Sequence, residues 1–146
     1  MDATTSILRG QKILVVDDEP DNLEVVRLLL QMCDADVITA TNGQEGIEMT
    51  RKHQPKFIIS DLSMPVMSGW EMIYTLKNDR TTMDIPVIAL TAHAMTGDRT
   101  RALAAGFHNY LSKPLQPETF VKDLLQLVVN TPVMADLLLL NATRKD

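Results

Sequence analysis

The sequence predicts a doubly wound α/β domain, a five-stranded parallel sheet with five helices divided between its two faces. Three observations carry this. Short apolar, β-branched runs alternate along the chain with longer amphipathic stretches, the rhythm of repeated βαβ units. The runs are nearly continuous in apolar residues, as strands buried on both faces must be. And 146 residues, 45% of them hydrophobic, suffice for one core but hardly for two.

Each element has its own signal. Lys12-Ile13-Leu14-Val15-Val16-Asp17 reads as a buried strand. Residues 21–32 read as a helix, with Asp21 as N-cap and Glu24 three residues on in a capping-box arrangement. Residues 35–40 form the second strand, and Asn42-Gly43 marks the turn into a helix over 44–52. Phe57-Ile58-Ile59-Ser60-Asp61 is the third strand. A loop through Pro65 and Gly69 leads to a helix over 70–77. Pro86-Val87-Ile88-Ala89-Leu90-Thr91 is the fourth strand, followed by a helix over 97–105 that Gly106 ends as a C-cap. Asn109-Tyr110-Leu111-Ser112 is a short fifth strand, and 117–130 the last helix, with Pro117 in its first turn. The expected organisation is a flexible segment 1–10, one domain over 11–130, and an extension 131–146 without a separate output domain. Pro132 breaks the last helix. Beyond it the apolar stretch through Leu137-Leu138-Leu139-Leu140 reads either as a short helix packed back on the domain or as a docking or dimerisation segment.

Composition narrows the function. A formal net charge of -5 argues against non-specific nucleic-acid binding, which needs a basic face. The single cysteine, Cys33, lies in an apolar helical stretch and reads as a buried thiol in a reducing compartment. No signal peptide opens the chain and no apolar run is long enough for a bilayer, so a cytoplasmic protein without membrane contact is expected. His53 and His108 have no ligand spacing and read as surface residues; most of the nine methionines read as packing.

In a doubly wound fold, ligands bind beyond the carboxyl ends of the strands. The first strand delivers Asp17 and Asp18 there, the third Asp61, the fourth Thr91 and the fifth Lys113. Taken singly each has a plainer role: a turn or cap carboxylate, a strand-end hydroxyl, a solvated ammonium. Together they make a small site with three carboxylates. Two carboxylates about 4 Å apart repel by roughly 4 kcal/mol at an effective dielectric of 20. One lysine compensates too little, and a hard, oxygen-seeking cation such as Mg2+ completes the balance. A metal so held leaves room for a phosphoryl group. Asp61 would then be the nucleophile, with Thr91 and Lys113 serving the phosphoryl oxygens.

These residues resemble the receiver domain of two-component response regulators, with its flavodoxin-like, chemotaxis-regulator-like fold. The resemblance is carried by Ile13-Leu14-Val15-Val16-Asp17-Asp18-Glu19, Asp61-Leu62-Ser63-Met64-Pro65-Val66-Met67-Ser68-Gly69, Thr91-Ala92-His93-Ala94-Met95 and Tyr110-Leu111-Ser112-Lys113-Pro114, and it covers residues 11–130. It implies a strand order 2-1-3-4-5. It implies that Asp61 is the phosphoacceptor. Asp18, Asp61 and the Ser63 backbone carbonyl would bind magnesium directly, and Asp17 through water. Thr91 and Tyr110 would be switch residues, Thr91 and Lys113 would contact the phosphoryl group, and the peptide bond before Pro114 would be cis. Ser63 and His93 would tune hydrolysis. The implied donor is a sensor histidine kinase or a histidine phosphotransfer protein. The implied output is a changed surface for a downstream protein or a homodimer, so the chain is not expected to be an ordinary enzyme.

Two rival readings use the same residues. A magnesium-dependent aspartyl-nucleophile phosphatase resembles this logic, but it needs an Asp-x-Asp pattern after the first strand, and here Asp17 and Asp18 are adjacent. A nucleotide or flavin module needs a Gly-rich or hydroxyl-rich loop there, where this chain has Asp-Asp-Glu-Pro.

Overall fold

A computed structural model of the chain describes residues 5–91, 96–112, 116–132, 134 and 135, and the side chains of all of these except residues 5, 6, 91 and 96–99. Ten elements follow a short 3-10 helix, Thr5–Leu8. They are β1 (Lys12–Val16), α1 (Pro20–Gln31), β2 (Asp36–Ala40), α2 (Gly43–His53), β3 (Phe57–Asp61), α3 (Gly69–Lys77), β4 (Val87–Thr91), α4 (Thr96–Ala105), β5 (Asn109–Ser112) and α5 (Pro117–Asn130). The five strands are parallel and ordered β2-β1-β3-β4-β5, as the resemblance implies.

Strand periodicity builds two cores from one sheet. Ile13, Val15, Phe57, Ile59, Ile88 and Leu90 face a cluster closed by Val26 and Leu30 of α1 and by Phe120, Leu124, Leu125 and Val128 of α5. Their sequence neighbours Leu14, Val16, Ile58, Val87 and Ala89 face the other cluster. That one is closed by Ile47 of α2, by Met72, Ile73 and Leu76 of α3, and by Ala102 of α4. Successive side chains of a strand point to opposite faces, so unbroken apolar runs are what a doubly covered sheet demands. Burying each of these aliphatic chains contributes about 2 kcal/mol.

Three expectations change. The N-cap of α1 is Glu19, not Asp21, and no side chain caps this end. Pro20 takes the first helical position, where its missing N–H costs nothing, and this draws the cap two residues earlier than the acidic pattern suggests. Residues 7–10 of the N-terminal segment are held rather than flexible. Ile7 and Leu8 are 5% and 0% exposed and join the α1–α5 cluster, and the Gly10 N–H donates to the Asp34 carbonyl at 2.8 Å. His53 and His108 are not surface residues; both are half-buried. Beyond α5, Met134 is buried in the α1–α5 cluster, and the Ala135 N–H donates to the Thr131 carbonyl at 2.9 Å. Thr131, Met134 and Ala135 thus pack back on the domain; Leu137 to Leu140 lie outside the described residues. Cys33 is buried as expected, and burial pushes its thiol above the ordinary value. Among the described residues no helix is long and apolar enough to cross a membrane.

Candidate functional site

Strand pairing brings the first acidic residues together. Val16 stands opposite Ser60 in the β1–β3 register, so the residues one step further, Asp17 and Asp61, emerge side by side at the carboxyl edge. The Asp17 N–H still bonds to the Ala40 carbonyl at 3.1 Å, so its backbone is held by the sheet. Both carboxylates are deeply placed, at 1% and 7% exposure. Carboxylate oxygens of Asp17, Glu19 and Asp61 all lie within 4.8 Å of one another. At that spacing each pair repels by about 3 kcal/mol at an effective dielectric of 20. The donor set is all hard oxygen, which suits magnesium or a similar cation and suits soft metals poorly.

Backbone groups aim these side chains. The Glu19 N–H donates to Asp17 Oδ1 at 2.9 Å, and Asn22 Nδ2 donates to Glu19 Oε1 at 2.9 Å. The Leu62 N–H donates to Asp61 Oδ1 at 2.7 Å and fixes the plane of that carboxylate. Ser60 Oγ donates to the Asp61 carbonyl at 2.8 Å.

The loop between β3 and α3 is held tightly against this edge. Its N-cap Ser68 and Glu71 form a capping box that starts α3. The Gly69 N–H donates to the Leu62 carbonyl at 2.9 Å, and a Cβ on Gly69 would lie 2.2 Å from the Asp61 carbonyl oxygen. The absent side chain is what allows α3 to begin directly on the acceptor strand. The Gly43 N–H at the start of α2 donates to the Met67 carbonyl at 2.9 Å. Within the loop the Met67 N–H donates to the Pro65 carbonyl at 2.7 Å around Val66, whose φ is +67°: a γ-turn of the positive-φ, strained kind. At the start of α3, Trp70 meets Phe107 edge to face at 5.9 Å, and the Arg101 guanidinium lies 4.7 Å from its ring centre, tying α3 to α4.

Of the residues singled out from sequence, Asp17 and Asp61 meet. Asp18 is half-buried beside them but is not one of the three converging carboxylates. Ser63 is exposed, two residues past Asp61. Thr91 ends β4 at the same edge, opposite Ser112 and one step beyond the Asp61–Leu90 pair; its side chain is outside the description. Tyr110 sits opposite Ala89 and packs, partly buried, against the α2–α3–α4 cluster. His93, Lys113 and Pro114 lie outside the described residues. Glu19 is the site residue that sequence reasoning missed. The signal was present: in extended chain, residues two apart share a face, which groups residues 17 and 19 rather than 17 and 18.

Comparison with known proteins shows the family and the fold. The family model described as response regulator receiver domain matches residues 13–125. The chain is 38% identical over 125 residues to an uncharacterized 14.6 kDa protein from the sodA1 3' region of Leptolyngbya boryana, covering 86% of this chain and 95% of that one. It is 35% identical over 112 residues to the polar-differentiation response regulator DivK of Brucella anthropi, covering 77% and 91%. Among solved structures, the chemotaxis response regulator CheY4 of Vibrio cholerae superposes with a TM-score of 0.76 at 31% identity, over 81% of this chain and 98% of that one. The receiver domain of the sensor histidine kinase PA1611 from Pseudomonas aeruginosa superposes with a TM-score of 0.71 at 31% identity, over 80% and 95%; that structure carries a magnesium ion in its active-site cleft.

Proposed function

We propose, from the premise that this chain belongs to the response regulator receiver domain family of two-component signalling, that Asp61 accepts a phosphoryl group from a phosphohistidine donor and thereby switches a partner-binding surface. The observation that supports this best is the buried Asp61 carboxylate at the end of β3, within 4.8 Å of the carboxylates of Asp17 and Glu19. A carboxylate oxygen of Asp61 attacks phosphorus, the bond from phosphorus to the donor's imidazole nitrogen breaks, and the imidazole leaves with the electron pair. The Leu62 N–H on Oδ1 orients the nucleophile before the donor arrives. Asp17, Glu19 and Asp61 would hold magnesium, with Asp18 and the Ser63 backbone carbonyl as the further oxygen ligands the family resemblance implies. When bound, the cation offsets the carboxylate repulsion and the charge of the transferred group. Thr91 donates its hydroxyl to one phosphoryl oxygen and Lys113 gives its ammonium to another.

The added negative charge of the phosphoryl group on Asp61, and the new demand on Thr91, bias the packing of Tyr110 and α4. Ser63 and His93 would tune how fast the acyl phosphate is hydrolysed, as the family resemblance implies. The donor is a sensor histidine kinase or a histidine phosphotransfer protein, the setting is the cytoplasm, and the output is binding rather than turnover.

The test is an intact-mass measurement with magnesium and a small acyl-phosphate donor, on the wild type and on Asp61→Asn. Addition of one phosphoryl group to the wild type alone, abolished by chelation of the metal, is the expected result. Addition to both proteins would move the acceptor elsewhere. Sustained release of phosphate from ordinary phosphomonoesters would favour the phosphatase reading.

A further inference from the structure

The edge strand β5 starts one residue too late to complete its ladder with β4. Pairing begins at Ile88 opposite Asn109. The His108 N–H donates to the Val87 carbonyl at 2.8 Å, but the Val87 N–H, at the first position of β4, faces the point where the chain turns out of Gly106 and Phe107. Its acceptor there is the side chain of His108: Nδ1 takes the Val87 N–H at 3.3 Å. One residue thus closes both bonds to Val87, one through its backbone and one through its ring. We propose that His108 is a proton-operated latch, which holds the start of the β4–β5 edge while Nδ1 is bare and releases it when Nδ1 is protonated.

The chemistry follows from the acceptor role. An imidazole nitrogen that accepts a hydrogen bond carries no hydrogen, so the latched ring is the neutral tautomer with its proton on Nε2. A second proton removes the acceptor and leaves the N–H of the buried Val87 without one. The surroundings add to the cost. Lys77 of α3 faces the ring, with its ammonium held by the carbonyls of Met83 and Ile85 at 3.0 and 3.1 Å. Its stem packs beside Gly106, where a Cβ would come within 3.2 Å of Lys77 Cγ. The charged group facing Lys77 in turn is Asp84, in the turn before β4. Among the described groups, then, the charge that acts on the ring is the cation from α3. Burial and Lys77 together hold the imidazole below its ordinary value.

Amide hydrogen exchange of Val87, followed by nuclear magnetic resonance between about pH 5 and pH 8 and corrected for the intrinsic pH dependence, reads the latch directly. In the wild type, protection of Val87 should fall as pH drops through the titration of the ring, by at most about tenfold per pH unit, and level off once the latched ring is itself protonated. In His108→Asn, whose amide oxygen can take the place of Nδ1 but does not titrate, protection should persist and be flat with pH. In His108→Ala it should be lost at every pH, while amides of β1 and β3 stay protected and report an intact sheet. A flat wild-type profile, the same slope in His108→Asn, or full protection in His108→Ala would each overturn the proposal, as would nitrogen shifts placing the neutral proton on Nδ1.

Discussion

Adding one methyl group at Gly69 tests how rigidly the acceptor strand is held. A Cβ built there would sit 2.2 Å from the Asp61 carbonyl oxygen, 3.1 Å from Leu62 Cα and 3.2 Å from the Asp61 carbonyl carbon. All three are backbone atoms, so no side chain can swing away. Opening the closest contact from 2.2 Å to the 3.0 Å below which real Cβ atoms essentially never fall requires a shift of 0.8 Å in either α3 or the end of β3. Moving α3 also disturbs the Gly69–Leu62 hydrogen bond and the Trp70 stack on Phe107. Overpacking of this kind costs about 1–3 kcal/mol. A displacement approaching 1 Å at a reacting group costs on the order of 100-fold in rate. Gly69→Ala should therefore lower the urea midpoint by a corresponding amount and slow Asp61 phosphorylation by up to about 100-fold in the mass assay. Gly10→Ala is the contrast: nothing lies within 4 Å of its Cβ, and only its φ of +73° is strained. Wild-type stability together with a wild-type phosphorylation rate in Gly69→Ala would refute the rigid coupling of α3 to the acceptor.

Three further outcomes are expected. Val66→Gly relieves a β-branched residue at φ +67° that is 81% exposed and packs little, so it should raise the urea midpoint by about 1 kcal/mol of stability; a lowered midpoint would show that the turn is not strained. Glu19→Gln removes one of the three converging carboxylates and should weaken magnesium binding about tenfold by calorimetry, whereas an unchanged affinity would remove Glu19 from the site. Between the lowered folded-state value of His108 and its ordinary 6.5, the unfolded chain binds more protons than the folded one. The stability His108 confers is therefore complete above pH 6.5 and lost as pH falls through the folded value; denaturation midpoints should show this decline in the wild type and not in His108→Asn.

The strands were legible because a sheet covered on both faces leaves an apolar imprint on every position, as in Ile13 to Val16 and Phe57 to Ile59. Asp17 and Asp61 were legible because each ends such an imprint. Glu19 was masked by the adjacent Asp17-Asp18 pair, and the shift of the α1 cap followed from Pro20, whose preference for the first helical turn outweighs the Asp21–Glu24 pattern. Ile7 and Leu8 look like stray apolar residues in a polar segment; only the assembled end of the α1–α5 cluster gives them something to cover. His108 was the least accessible. Its partner, the Val87 N–H, is 21 positions away in sequence, and the need for an acceptor there arises only from where β5 begins.

The stretch that carries the shared chemistry is shorter than the stretch that keeps water out. The family match spans residues 13–125, yet Leu8 before it and Val128 and Met134 after it are at most 1% exposed in the α1–α5 cluster. A protein trimmed to the matching residues would keep every carboxylate of the site and lose Leu8, Val128 and Met134 from the α1–α5 cluster. Grafting this receiver onto another protein, or replacing it with a relative, is therefore best done with the flanks attached: they are the floor on which the switch stands.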